Sequence, residues 1–163
     1  MRKFIIVAAA AAATFATPAF AQSSAQMPVT VNILDSCSVG ATGMTFVANK
    51  IGGADIDATS NVTVTCTAQT DYQVEMNWGQ HASGSGPTLQ RNMNGASFNE
   101  KVPYGIFQDT ARSVAWSTGA SAFSFVAADA LPKVITAYGR IPSTAAAVRA
   151  DSYNDIVTVT VTF

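Results

Sequence analysis

The stretch that decides the fold is residues 156–163, Ile-Val-Thr-Val-Thr-Val-Thr-Phe. It alternates without interruption, with Val157, Val159, Val161 and Phe163 in one phase and threonines in the other. A period of two built from β-branched residues predicts a β-strand with one buried face. The sequence ends on this strand without a following hairpin partner, so we expect one of its edges to be open to another chain.

A second alternating run lies near the other end, at residues 27–34, Met-Pro-Val-Thr-Val-Asn-Ile-Leu. Its apolar phase consists of Met27, Val29, Val31 and Ile33. The opposite phase contains a proline, a threonine and an asparagine, so a one-residue slip would present poor groove-filling side chains. We interpret the two terminal runs as partners that lie on different molecules.

Residues 1–21 have the layout of a secretory signal peptide. Arg2 and Lys3 precede an apolar stretch over residues 4–16, and Ala19-Phe-Ala21 forms a small-x-small cleavage site. The apolar part is short for a lasting membrane anchor, which is the competing interpretation, and polar residues follow at once. Residues 22–163 would then form the exported chain, long enough for one stable domain.

Composition excludes some partners. The whole chain carries a formal net charge of −1, and removal of residues 1–21 makes it more acidic. No cluster or stripe of lysine and arginine is present, so we expect no nucleic-acid partner. No segment after residue 21 is apolar enough for us to expect stable membrane insertion.

Cys37 and Cys66 are the two cysteines, and an even count in an exported chain predicts one disulfide. The competing interpretation, free thiols or half of a metal site, lacks supporting ligands, because His81 is the single histidine. Asp55 and Asp57 resemble a calcium loop only superficially and are interpreted as solvated acids. We therefore expect no metal and no cofactor.

Short alternating segments recur along the chain and are separated by turn-rich loops. We predict strands at residues 37–39, 61–67, 72–78, 102–108, 114–116, 122–126, 133–141 and 156–163. Residues 44–47 either continue the first strand or form another, and we predict loops at residues 49–60, 79–96 and 142–154. This pattern predicts an all-β, immunoglobulin-like β-sandwich.

No constellation of catalytic residues is visible in the sequence. There is no G-x-S-x-G motif and no convincing Ser–His–Asp set, and the two thiols are expected to be paired. We therefore do not expect an enzyme.

With these segments laid out, the chain resembles the spore coat protein U (SCPU) domain family, which includes subunits of archaic, Csu-type chaperone–usher pili. The matching pieces are residues 62–66, 72–79, 104–109, 114–116, 138–142 and 152–163. The Tyr-Gly-Arg-Ile-Pro run at 138–142 and the Tyr-x-Asp-x-Val-x-Val-x-Val-x-Phe ending are together specific. The chain departs from the family at Ile106-Phe107, where Leu-Tyr is frequent, and at Asp151, where glycine is frequent.

The resemblance implies an incomplete immunoglobulin-like fold that lacks its final strand and is completed by a donor strand from a neighbour. A periplasmic chaperone lends a strand during export, an outer-membrane usher exchanges it, and the N-terminal segment of the next identical or related pilin replaces it. The implied layout is a signal peptide (1–21), a donor-strand extension (22–34) and a pilin domain (35–163). The implied acceptor groove and chaperone contact is formed by Val157, Val159, Val161 and Phe163, and the donor residues by Met27, Val29, Val31 and Ile33.

We expect the chain to be a structural subunit of a surface pilus. It would be exported through the periplasm to the cell surface, where the pilus supports adhesion and biofilm formation. Two alternatives stay open at this stage. One is a tip adhesin, against which the presence of a donor segment argues. The other is a secreted monomeric coat or carbohydrate-binding module whose N-terminal segment folds into its own groove.

Overall fold

The computed structural model describes residues 21–163. The predicted signal peptide therefore lies, except for Ala21, outside the described residues. The chain divides after Asn32. Residues 21–32 contain no regular secondary structure, and residues 33–163 form the folded unit.

Within the described residues the regular elements are β-strands and two single 3-10 turns, at Gly86–Thr88 and Gly119–Ser121. The strands are β1 Cys37–Ala41, β2 Ile56–Cys66, β3 Asp71–Met76, β4 Arg91–Gly95, β5 Lys101–Phe107, β6 Phe123–Val126, β7 Lys133–Ile141, β8 Tyr153–Asn154 and β9 Val159–Thr162. All strand pairs are antiparallel. A six-stranded sheet has the order β1-β2-β7-β5-β4-β8, and a three-stranded sheet has the order β6-β3-β9. The predicted all-β, immunoglobulin-like sandwich is confirmed.

The core lies between the inward faces of these two sheets. Val62 and Val64 of β2 and Val74 of β3 are almost completely buried, as their alternation predicts. Trp116 is also fully buried, and its indole N–H donates to the Val74 carbonyl at 2.8 Å. Its ring meets that of Phe123 edge to face, with centroids 5.0 Å apart. Trp116 therefore joins the loop before β6 to the middle of β3.

The predicted loop at residues 49–60 is wrong at its end, because β2 begins at Ile56. Glycines and aspartates in this stretch are turn formers, which suggested a loop. In the fold, however, β2 pairs with β7 along its length, from Ile56 opposite Ile141 onward. Asp57 lies opposite Arg140 and accepts two hydrogen bonds from it, at 2.8 and 2.9 Å. This cross-strand ion pair extends the strand and holds the pKa of Asp57 below its ordinary value.

Three further predictions of secondary structure are corrected. The loop expected at 79–96 contains β4, which lies between β5 and β8. Residues 114–116 form only a single bridge, from Ala115 to Phe107. Residues 44–47 are not a strand, yet Met44 and Phe46 pack against the core over Gly139, where a side chain would overlap both. The pairing of β4 with β8 and the packing of Met44 and Phe46 on Gly139 depend on partners that are distant in sequence.

The predicted disulfide is confirmed: Cys37 and Cys66 are bonded with an S–S distance of 2.02 Å. Cys37 begins β1 and Cys66 ends β2, and the two are direct partners in the ladder. The bridge therefore fastens an edge strand of the six-stranded sheet to its neighbour.

Replacing both cysteines with serine is expected to lower the free energy of unfolding by about 3–4 kcal/mol, because the bridge closes a loop of about 30 residues in the unfolded chain. Urea unfolding of the purified protein measures this loss. Wild-type protein unfolded in a thiol reductant is the matched control and should show the same midpoint as the double variant. An unchanged midpoint would mean that the bridge is dispensable.

Candidate functional site

The predicted terminal strand forms one edge of the three-stranded sheet. Among residues 21–163, β9 pairs with β3 alone, with Val159 opposite Met76 and Val161 opposite Val74. Val159 and Val161 pack against the core but stay only partly buried, whereas Val74 is inaccessible to solvent. The strand is therefore seated on one side and uncovered on the other.

The facing edge belongs to the six-stranded sheet. Within the same range of residues, β1 pairs with β2 alone. Val39 of β1 is 37% exposed, although its ladder partner Val64 is 1% exposed. Cα atoms of β1 and β9 come within 8 Å of one another, so two unpaired edges from different sheets lie side by side. Unpaired edges of this kind are templates for the addition of another strand.

A groove of about 400 Å³ opens where β1 ends and β9 begins. We call it the seam groove. Its apolar lining consists of Ala41, Met44, Phe46, Val62, Met76, Met93, Ile106, Ala137, Ile156, Val157 and Val159. An adjoining depression of about 540 Å³ shares Met44, Phe46 and Met93 with it. The seam groove is thus concave and more apolar than polar, with Ser60, Tyr104 and Asn154 among its polar lining residues.

The predicted groove residues are only partly brought together. Val157 and Val159 line the seam groove, and Val161 continues their row against the core. Phe163 lies elsewhere, 56% exposed, beside a shallow surface depression that Tyr72 and Phe125 also line.

A buried carboxylate anchors the start of the terminal strand. The Asp155 side chain is 2% exposed and accepts a hydrogen bond from the Tyr104 hydroxyl at 2.7 Å. It also accepts from the backbone N–H of Gln80 at 2.9 Å, and it lies 3.1 Å from Nδ1 of His81. Burial, together with this carboxylate, raises the pKa of Tyr104, so the phenol stays protonated and remains a donor. Gly79, with φ of +80°, leaves the space that Asp155 occupies.

Asn77 continues the pairing of β9 beyond the regular ladder. Its side-chain oxygen accepts from the Thr158 N–H at 2.9 Å, and its backbone N–H donates to the Thr158 carbonyl at 3.0 Å. The register of the edge strand is therefore fixed from Thr158 onward.

Arg91 is buried beneath this pair of strands, with 2% of its surface exposed. Its guanidinium donates to the carbonyls of Met76, Asn77 and Trp116 at 2.7–3.0 Å. It also lies 5.0 Å from the centre of the Trp78 ring, so Trp78 serves as a cation–π platform. Removal from water lowers the pKa of Arg91, and the carbonyls and the ring compensate for its burial.

Sequence reasoning missed Arg91, Tyr104 and Asp155 as structural anchors. Tyr104 and Asp155 lie within the matched motifs, which was a usable signal. Arg91 carried no signal, because a charged residue beside Gly-rich sequence is expected on the surface.

Asp151, where the family often has glycine, ties two loops together. Its carboxylate accepts the N–H groups of Ser97 at 2.8 Å and Phe98 at 3.1 Å. Nearby, Glu100 accepts from the backbone and side chain of Arg149 at 2.9 and 2.8 Å. The Ser97 N–H lowers the pKa of Asp151, and the Arg149 N–H lowers that of Glu100.

These lowered carboxyl pKa values predict acid sensitivity. A carboxyl group with a folded pKa below its unfolded value stabilises the fold above the unfolded pKa, and this stabilisation disappears as pH falls through the folded pKa. The urea midpoint should therefore drop below about pH 4. Asp151→Asn should lower the midpoint at pH 7 and make this drop shallower, whereas Asp71→Asn, at an exposed position of β3, should leave both unchanged. Equal pH profiles for Asp151→Asn and wild type would contradict the assignment.

The predicted donor residues are highly accessible. Met27, Val29, Val31 and Ile33 are 77–83% exposed and lie in backbone that forms no strand. Four apolar side chains in one phase are thus left uncovered.

Residues 21–163 also bear on metal binding and on membrane insertion. No group of three or more histidine, cysteine, aspartate or glutamate side chains is placed to hold a metal ion in that range. Nor does that part of the chain contain a helix with the length and apolarity needed to cross a membrane.

Comparison with known proteins gives concordant results. The chain is 29% identical over 171 residues to Protein U of Myxococcus xanthus, and the match covers 97% of this chain and 94% of that protein. Its fold is similar to one chain of the crystal structure of the CsuC–CsuE chaperone–tip adhesion subunit pre-assembly complex, from archaic chaperone–usher Csu pili of Acinetobacter baumannii. That similarity has a TM-score of 0.58 at 21% identity and covers 80% of this chain and 40% of the solved one.

The family comparison spans most of the sequence. Residues 23–160 match the model of the Spore Coat Protein U domain. The matched range contains the alternating run at 27–34, the disulfide, the seam groove and the first five residues of the run at 156–163. The chain therefore belongs to the Spore Coat Protein U domain family.

Proposed function

We propose that this chain is a structural subunit of a surface pilus, assembled head to tail by donor-strand exchange. The exported subunit is held by a periplasmic chaperone, passed to an outer-membrane usher, and completed by the N-terminal segment of the next identical or related subunit. It contributes to adhesion and biofilm formation through the filament, not through catalysis. Two findings support this proposal. The chain belongs to the Spore Coat Protein U domain family, and its fold is similar to that of one chain in the chaperone–tip adhesion subunit complex.

The observation that carries the proposal is the coexistence, in one chain, of two open strand edges beside a groove and an exposed segment with alternating apolar side chains. Two edge strands, β1 and β9, lie side by side, and in the described residues each pairs on one side only. The seam groove next to them has a lining that is more apolar than polar. Residues 27–33 supply four apolar side chains at the alternate spacing that such a groove accepts.

The dimensions and energies are sufficient for stable assembly. A donor strand over residues 27–34 extends about 26 Å at about 3.3 Å per residue. Burying Met27, Val29, Val31 and Ile33 at about 1.5–3 kcal/mol each gives about 6–12 kcal/mol before the cost of ordering the segment. Main-chain hydrogen bonds to an open strand edge would also fix the register of the donor strand.

The proposed contact between subunits would also produce a fibre. The donor and acceptor surfaces are different parts of one chain, so the contact between copies is heterologous. A heterologous contact that does not close into a ring produces an open filament.

Electrophoresis in detergent with and without heating tests the proposal. The purified protein should give a ladder of multimers without heating, which collapses to a monomer band after heating. A synthetic peptide with the sequence of residues 27–34, added in excess during assembly, should shorten the ladder by capping free grooves. A single monomer band under every condition would overturn the proposal and favour a self-completed monomer. Peptide binding without multimers would instead favour a tip subunit.

A further inference from the structure

The methionines of the described residues are distributed unevenly. Met44, Met76 and Met93 all line the seam groove, and Met27 lies in the proposed donor strand. Residues 21–163 contain no other methionine. Their accessibility is graded: Met27 is 83% exposed, Met44 and Met93 are partly buried, and Met76 is 3% exposed.

Met44 and Met93 both contribute to the groove wall. Met44 lies on Gly139 of β7, where the absence of a side chain provides its seat, because a Cβ there would overlap the thioether sulfur. Met93 belongs to β4 and lies opposite the buried Val102 of β5. Both side chains also line the adjoining depression and are only partly buried, so solvent reaches them.

We propose that Met44 and Met93 are oxidation sites, and that their sulfoxides prevent a donor strand from filling the seam groove. This consequence rests on the proposed function. The oxidant is hydrogen peroxide, which accepts two electrons from the sulfur. The thioether sulfur attacks one peroxide oxygen and the O–O bond breaks, so sulfur becomes a sulfoxide and the peroxide leaves as water after proton transfer.

A sulfoxide in this wall would be costly to cover. It replaces an apolar thioether with a strongly polar S–O group, which must lose its water when apolar donor side chains enter. Hydroxyl groups that line the groove already donate within the fold: Tyr104 to Asp155, Tyr153 to the Arg149 carbonyl and Ser60 to the Thr42 carbonyl. A sulfoxide that is covered without a hydrogen-bond donor is expected to weaken donor binding about tenfold to a hundredfold.

The test uses the full chain with two substitutions. Met27→Leu removes the methionine of the donor segment, and Val31→Asp keeps the chain's own donor segment out of the groove. The protein is treated with hydrogen peroxide, and peptide mapping by mass spectrometry locates each added oxygen. A fluorescent peptide of residues 27–34, with leucine replacing Met27, reports groove binding. We expect Met44 and Met93 to oxidise well before Met76, and peptide affinity to fall at least about tenfold.

A matched variant separates this effect from general damage. Met44→Leu with Met93→Leu removes both thioethers at nearly constant volume, so peroxide treatment should not change the peptide affinity that this variant has before treatment. Methionine sulfoxide reductases of both stereospecificities should restore binding to the oxidised parent. Unchanged affinity with both sulfoxides present, or oxidation of Met44 and Met93 no faster than that of Met76, would overturn the inference. A failure of the untreated protein to bind peptide would count against the proposed function itself, while the oxidation map would still decide the order of reactivity.

Discussion

Val31→Asp abolishes the detergent-resistant multimers, which is the largest effect that we expect from a single substitution. Val31 lies in the apolar phase of the proposed donor strand, near its middle. In the complex an aspartate at this position would bring an unpaired carboxylate into an apolar groove, at a cost of several kcal/mol. That cost, added to the lost valine, removes most of the about 6–12 kcal/mol available and weakens association by at least about a thousandfold.

Thr30→Asp is the matched control, because it places the same charge one residue away in the opposite phase. A side chain in that phase points away from the groove, so the ladder should persist. Chaperone capture of Val31→Asp should be unchanged, since its own groove is intact. Fibres of normal length from Val31→Asp would remove the donor assignment, and equal loss in both variants would mean that the register is wrong.

Arg91→Met is expected to lower the free energy of unfolding by about 3–5 kcal/mol. The substitution keeps an apolar stem but leaves the carbonyls of Met76, Asn77 and Trp116 without their donor. A buried acceptor deprived of its partner costs about 1–3 kcal/mol, and the three costs are not independent. The end of β3, against which β9 pairs, should loosen first.

Arg149→Met is the control for removal of a guanidinium, because 61% of the Arg149 side chain is exposed and it pairs with Glu100 at the surface. We expect it to cost about 0–1 kcal/mol. Urea unfolding followed by tryptophan fluorescence measures both variants and reports on Trp78 and Trp116 directly. Equal, small losses in the two variants would contradict the role given to Arg91.

The parts of the fold that the sequence predicted well are those where burial alternates strictly. In β2, β3 and β9 the apolar side chains at every second position face the core, because the pleat of a strand sends successive side chains to opposite faces. The disulfide was also predictable, since two cysteines in an exported chain allow one pairing. The open edge at β9 and the exposed apolar phase of residues 27–33 could be read in the same way.

The tertiary structure alone decided the rest. Ile56 joins β2 only because β7 lies beside it. Arg91 enters the core only because three backbone carbonyls accept its hydrogen bonds there. The seam groove likewise combines Met44, Met76 and Met93 with Val157, from four separate parts of the chain. Alternation is a local property that the backbone imposes on every strand, so the sequence by itself determined which faces are apolar. Which polar groups find partners, and which apolar faces meet to leave a groove, depends on contacts between distant residues, and those exist only after the chain has folded.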